Sequence, residues 1–309
     1  MRESAVAADP EVVAYPGAQA PARRRFVDSG GLRIAVHEWG DEKAPPLLLA
    51  HGGFDFARTY DVFAPLLADA GWRVVSWDHR GHGDSAHAHL YSWEADERDL
   101  LIVADSITDA PLPAIGHSKG GALLLQISTG LPERLSRVVT IDGLPMRRAA
   151  DLANDELTRR MAAEIPLWLD HRARTASLIR KPGTREELAQ RRARMNPRLS
   201  PQWLYYLTGV GARHDADGWR WKIDPSLRMG GYGPWRAQWV AERLPGFAVP
   251  LLGILGTEDE EMGWGVTAED LRPCLPPGGR LEVAQGVGHF IHIEQPHETA
   301  AIVLDFLKA

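Results

Sequence analysis

The sequence predicts an α/β fold in which a mostly parallel central sheet is interrupted by an inserted helical cap. Three observations predict it. The short, continuous apolar run PLLLA (46–50) suits a strand buried on both faces of a sheet. Segments of helical length alternate with strand segments, the arrangement that lays parallel strands side by side. The rhythm then breaks between residues 144 and 246 and resumes at VPLLGILG (249–256) and LEVA (281–284).

The elements follow in order. Residues 1–22, rich in Ala and Pro, read as a flexible leader. Alternating runs around Phe26–Asp28 and Leu32–Trp39 meet at Gly30-Gly31, as in a strand pair. PLLLA ends in His51-Gly52-Gly53, and a helix over 58–70 leads to a strand at 73–77. After the polar turn Asp78-His79-Arg80-Gly81-His82-Gly83, a helix around 93–108 feeds a strand at Leu112–Ile115. A helix from Lys119 to Thr129 and a strand at Arg137–Ile141 complete the first part of the core, 23–143. The cap, 144–246, holds several helical segments, many arginines and Trp168, Trp203, Trp219, Trp221, Trp235 and Trp239. Those rings suit either a substrate cavity or ordinary packing of cap on core. The second part of the core is 247–309.

Composition narrows the function classes. A chain of 309 residues with 44% hydrophobic and 25% charged residues is long enough for one large core with an insertion. Its net charge of −6 offers no basic excess for nucleic acid. The single cysteine, Cys274, excludes an internal disulfide and favours a cytoplasmic location. No secretory signal pattern is expected at the N-terminus, and no apolar run approaches the length of about 18 residues that a membrane span needs. The expected partner is a small-molecule substrate; oligomeric state is not encoded legibly.

The sharpest local signal is LPAIGHSKGG (112–121). A strand ending in a tight turn before a helix lifts the Ser118 hydroxyl above the sheet, and flanking glycines make room for that turn. A serine hydroxyl is a weak nucleophile at neutral pH and needs a base. His289, in Gly-Val-Gly-His-Phe-Ile-His (286–292), follows the late strand LEVA and is the expected base; His292 is the alternative. The base needs a carboxylate to orient it. Asp259, beyond the penultimate strand and flanked by Glu258 and Glu260, is the expected acid, with Asp142 after VVTI as a second topological choice. The backbone amides of Lys119 and Gly53, with Phe54 beside the latter, are the expected donors to an oxyanion.

These residues resemble the α/β-hydrolase superfamily, in its capped esterase, lactonase, haloperoxidase-like and carbon–carbon hydrolase branches. The resemblance covers residues 24–308 and implies the α/β-hydrolase fold. In that pattern HGG (51–53) is the oxyanion loop and DHRGHGDS (78–85) a structural turn. GHSKGG (116–121) is the nucleophile elbow, GTED (256–259) supplies the acid and GVGHFIHIEQP (286–296) the base. Two departures matter. Ser118 stands where related epoxide hydrolases and haloalkane dehalogenases carry aspartate, and Lys119 replaces the more usual hydrophobic or small residue after the nucleophile.

Twelve histidines invite a metal reading, but no HExxH run or thiol cluster accompanies them. The glycines of 78–83 lack the spacing of a phosphate loop. No metal or cofactor is called for. The expected function is hydrolysis of a carboxylic ester or lactone with an apolar or aromatic acyl part, through an acyl-enzyme. Two alternatives are hydrolysis of a carbon–carbon bond in a diketone-like substrate, and a noncatalytic small-molecule receptor that keeps the hydrolase shell.

Overall fold

The computed structural model describes residues 13–144, 154–227, 240 and 242–308. Trp235 and Trp239 lie outside the described residues. An eight-stranded sheet has the order β1-β2-β4-β3-β5-β6-β9-β10. Strands β1 (Arg23–Ser29) and β2 (Leu32–Trp39) form the expected antiparallel pair, and β2 also runs antiparallel to β4 (Arg73–Trp77). From β4 onward, β3 (Pro46–Ala50), β5 (Leu112–His117), β6 (Leu135–Ile141), β9 (Leu251–Gly256) and β10 (Arg280–Ala284) are parallel.

The apolar runs are continuous because both faces of these strands are covered. Leu47 and Leu49 enter one core cluster, while Leu48 and Ala50 enter the other. All four are fully buried. Burying each leucine contributes about 1.5–3 kcal/mol before conformational entropy is set against it. Helices α2 (Trp93–Asp105) and α3 (Lys119–Gly130) back the cluster of Leu48 and Ala50, α1 (Phe63–Asp69) and the C-terminal helix Pro296–Lys308 that of Leu47 and Leu49. The helix expected over 58–70 is split into a 3₁₀ turn at Ala57–Tyr60 and α1. Pro65 has no N–H to bond to residue 61, so it fits only the first turn of a helix.

The sheet order reverses direction between β3 and β5: β4 follows β3 on one side, β5 lies on the other. Ligands in open parallel sheets bind outside the carboxyl ends of strands at such a point. His51-Gly52-Gly53 leaves β3 there and Ser118 leaves β5 there.

The cap sits between β6 and β9 in sequence and contains α4 (Asn154–Thr175), α5 (Arg185–Ala193) and α6 (Pro201–Gly211). Thr184 and Glu187 form a reciprocal capping box on α5, and Ser200 caps α6 ahead of Pro201. A hairpin of β7 (Ala212–Asp215) and β8 (Gly218–Trp221) was not expected from the sequence. The tryptophans divide between roles. Trp203 is buried against Tyr206 and Phe56 in a cap cluster, whereas Trp221 of the hairpin faces a cavity. Part of the expected leader is packed: the Tyr15 ring lies 4.8 Å from Trp203, and the Trp39 indole donates to the Gln19 carbonyl at 3.0 Å.

Candidate active site

Among the described residues, the non-glycine residues with positive φ are Phe54 (57°), Ser118 (50°) and Asp142 (41°). Each costs about 1–3 kcal/mol and persists only where its surroundings enforce it. All three follow carboxyl ends of neighbouring strands: β3, β5 and β6. Strain gathered at one rim of the sheet marks a built site.

Ser118 sits between β5 and α3, its amide bonded to the Ile141 carbonyl at 3.0 Å. The turn is tight because its glycines let backbones touch. A Cβ on Gly120 would lie 2.2 Å from the Ala50 carbonyl oxygen, and one on Gly116 would lie 2.4 Å from the Gly120 carbonyl carbon. Neither neighbour is a side chain that can swing away.

His289 is buried, and its Nδ1 meets Oδ2 of Asp142 in a short hydrogen bond. The expected orienter, Asp259, is instead exposed. The backbone explains the exchange. Asp142 donates its amide to Ile254 at 2.8 Å and turns sharply at positive φ, which brings its carboxylate back over the sheet end. The loop after β9 is stitched to the base loop through Thr257 N–H to Ala284 O (3.2 Å) and Glu258 N–H to Val287 O (3.0 Å). That path presents Glu260 inward, and its Oε2 accepts the His289 amide at 2.5 Å.

His292 is fully buried, and neither ring nitrogen is hydrogen-bonded among the described residues. Burial, with His289 nearby, pushes its pKa down to about 3. It packs among Tyr60, Phe63 and His117 as a neutral ring.

The oxyanion loop is held from several sides. His82 donates from Nδ1 to the Arg80 carbonyl (2.9 Å), so its Nε2 is the acceptor for the Phe54 amide at 3.2 Å. The Phe54 amide, the neighbour of the expected donor Gly53, is thereby engaged. From the cap, Arg192 of α5 donates to the Phe54 carbonyl (3.1 Å) and to Oδ1 of Asp55 (3.0 Å). A Cβ on Gly52 would lie 3.3 Å from the Ser118 Cβ, so this loop runs against the serine. The Lys119 side chain turns away to Oδ2 of Asp96 at 2.5 Å, its ammonium 5.6 Å from the centre of the Trp93 ring.

His117 and Arg192 were not singled out by sequence reasoning; Glu260 entered only as a neighbour of Asp259, and His82 only as a histidine of the 78–83 turn. His117 was legible as part of the GHSKG run: its Nε2 donates to the His289 carbonyl at 3.0 Å, tying the elbow to the base loop. Arg192, in an arginine-rich cap, carried no distinguishing signal.

The turn 78–85 has a structural job. Asp78 accepts from the amides of Ala57 (2.7 Å) and Asp84 (2.8 Å) and pairs with His37 at 3.1 Å. Burial alone would raise its pKa, but the His37 charge and these hydrogen bonds hold it below the usual carboxylate range. His37, Asp78 and Asp84 bring ligand atoms within 4.8 Å of one another. Their carboxylates are already committed, since Asp84 also binds Arg24 (3.0 Å) and Lys222 (2.8 Å). The cluster is a latch for the turn rather than a metal site.

A cavity of about 440 Å³ opens beside Gly53 and Phe54, bounded also by Phe290, Met262 and Trp221. No helix among the described residues is long and apolar enough to cross a membrane.

A mostly parallel sheet, an inserted cap and this loop cluster define an α/β-hydrolase. Residues 42–296 match the Hydrolase_4 family model, serine aminopeptidase S33, and the chain belongs to that family. It is 25% identical over 277 residues to the sn-1-specific diacylglycerol lipase ABHD11 of Mus musculus, covering 87% of this chain and 82% of that one. It is also 25% identical over 285 residues to a putative 2-succinyl-6-hydroxy-2,4-cyclohexadiene-1-carboxylate synthase of Bacillus subtilis (strain 168), covering 91% and 97%. Among solved structures, the thioesterase domain from the curacin biosynthetic pathway superposes with a TM-score of 0.77 at 24% identity, covering 91% of this chain and 98% of that one. That likeness concerns the fold.

Proposed function

We propose that the protein hydrolyses carboxylic esters or lactones with an apolar or aromatic acyl part, through an acyl-enzyme on Ser118. The observation that carries this reading is the buried Asp142–His289 pair, tied through His117 to a strained serine at the end of β5. Asp142 replaces Asp259 as the acid of the proposed triad.

In this mechanism His289 takes the Ser118 proton on Nε2 as Oγ adds to the acyl carbonyl. Asp142 fixes the ring with Nδ1–H towards the carboxylate and stabilises the imidazolium. The Lys119 and Gly53 amides receive the developing oxyanion; fixed peptide dipoles need no reorganisation at that moment. The imidazolium returns the proton to the leaving alkoxide, and the acyl group stays on Oγ. Water then adds to the acyl-enzyme with His289 again as base, releasing the acid and restoring the serine. Phe54, Trp221, Met262 and Phe290 around the cavity suit an apolar acyl body. The mouse relative's description as a lipase is compatible with ester chemistry.

Product analysis with simple esters, lactones and vinylogous diketones, on wild type and Ser118→Ala, tests this reading. Ester or lactone turnover that disappears in Ser118→Ala is expected. Carbon–carbon cleavage without ester turnover would replace it with the diketone reading. Folded protein with neither activity would favour a receptor.

A further inference from the structure

We infer that the cavity beside the oxyanion loop selects an acyl substrate whose far end carries an anionic oxygen group, a carboxylate or a phosphate. The inference rests on the serine-hydrolase reading and adds the substrate class.

The cavity wall contains Arg180, Lys181, Arg191 and Arg192, and its described lining residues include no Asp or Glu. Charge matching separates these cations. Arg192 is matched by Asp55 at 3.0 Å, as the buried Arg80 is by Asp99 (2.7 Å) and Arg58 by Asp61 (2.6 Å). Buried guanidinium groups are ordinarily paired in this way. Arg180 breaks the pattern. Its Nε and Nη2 donate to the carbonyls of Ile223 and Asp224, both at 2.9 Å, and no ion pair of its own occurs among the described residues.

The nearest acid is committed elsewhere: Asp224 accepts from Tyr91 Oη (2.5 Å) and from the amide (2.8 Å) and hydroxyl (2.7 Å) of Ser226. Burial holds the Arg180 pKa below its ordinary value, with Asp224 only partly offsetting this. A partly buried cation fixed by neutral carbonyls retains N–H donors and an unbalanced charge, which an incoming anion would satisfy.

The neighbours reinforce it. Arg191 donates to the carbonyls of Lys181 (2.8 Å) and Pro182 (2.9 Å), bracing the 180–182 segment, and among the described residues its one ion pair is with the exposed Glu187 at 3.6 Å. Lys181 is exposed beside it. The same lining holds the apolar side chains of Phe54, Ile223, Leu227 and Phe290, with Gly53 of the oxyanion loop on its border. The lining therefore combines the groups that would meet a reacting carbonyl, an apolar body and an anionic end.

The test compares para-nitrophenyl hexanoate with the para-nitrophenyl hemiester of adipic acid and with a hexanoate ester bearing a terminal phosphate. Each is read as kcat/KM and as slowing of Ser118 labelling by a fluorophosphonate. Wild type should favour at least one anionic ester by about tenfold or more, the scale of one charge-assisted contact. Which anion wins identifies the group. Arg180→Gln and the exposed Lys181→Glu should each cut that preference, and about 0.5 M salt should erode it. Equal or better use of the neutral ester, or a preference untouched by Lys181→Glu, overturns the inference. If Ser118 still labels in that case, the hydrolase reading stands without it; if Ser118 neither labels nor turns over any ester, both fall together.

Discussion

Nδ1 of His289 is bonded to Oδ2 of Asp142, a carboxylate 147 residues away in the chain at the end of β6. Asp259, after β9, is exposed. The two positions compete directly as the acid. Asp142→Asn should lower kcat by about 10⁴-fold, as loss of the orienting carboxylate does in a serine protease. Asp259→Asn should stay within about twofold, since surface substitutions of this kind are usually near-neutral. Steady-state kinetics on folded variants check both, and the reverse ranking would return the acid to the β9 loop.

The choice between these aspartates shows what the sequence could and could not reveal. The placing of Ser118 after β5 and of His289 after β10 was legible because glycine-rich turns follow apolar strands, a local pattern. Both aspartates also follow strands, and β6 and β9 are neighbours in the sheet, with Val138 opposite Leu251. Strand ends alone therefore could not separate them. The decision lies in loop paths, set by the positive φ of Asp142 and the bonds that hold Thr257 and Glu258 to the base loop. The β7–β8 hairpin escaped notice for a related reason: four-residue strands such as ARHD and GWRW have little periodicity to read.

Glu260 binds the backbone of His289, the proposed base, rather than its ring. With its Oε2 on the His289 amide, Glu260→Ala should loosen the imidazole and lower kcat by about 10–10²-fold, with a much smaller change in KM. Glu260→Gln, which keeps an acceptor, should recover part of the loss. Equal kcat in all three proteins would remove Glu260 from the positioning of His289.

The Lys119 side chain and backbone have separable roles. Lys119→Met leaves the Asp96 carboxylate largely buried without its cation and should cost about 3 kcal/mol or more in stability. Replacing both residues by apolar ones should recover much of that. Turnover by the folded Met variant should persist, because the amide of residue 119 remains. A denaturation double-mutant cycle with parallel kinetics checks this; stability unchanged in the single variant would show that the pair contributes nothing.

Acid should destabilise the fold through its buried histidines. Burial lowers the pKa values of His51, His79, His82, His117 and His292, the last to about 3. Unfolded histidine titrates near pH 6.5, so between about pH 6.5 and pH 3 the unfolded chain binds more protons than the folded one. Stability therefore rises with pH across that window and falls as pH drops through it. The Tm should decline from about pH 6.5 downward, ahead of most carboxylate titration, and less steeply in His292→Phe. A Tm that is level down to about pH 5 would contradict the neutral, buried state of these rings.

The most direct test of Ser118 as nucleophile and His289 as its base is covalent labelling by a fluorophosphonate, read by peptide mass spectrometry on wild type, Ser118→Ala and His289→Ala. Wild type should carry a single adduct on the peptide containing Ser118. Ser118→Ala should carry none, and His289→Ala should label at least about 10³-fold more slowly. An adduct that survives in Ser118→Ala, or a folded wild type that stays unlabelled, would contradict the assignment.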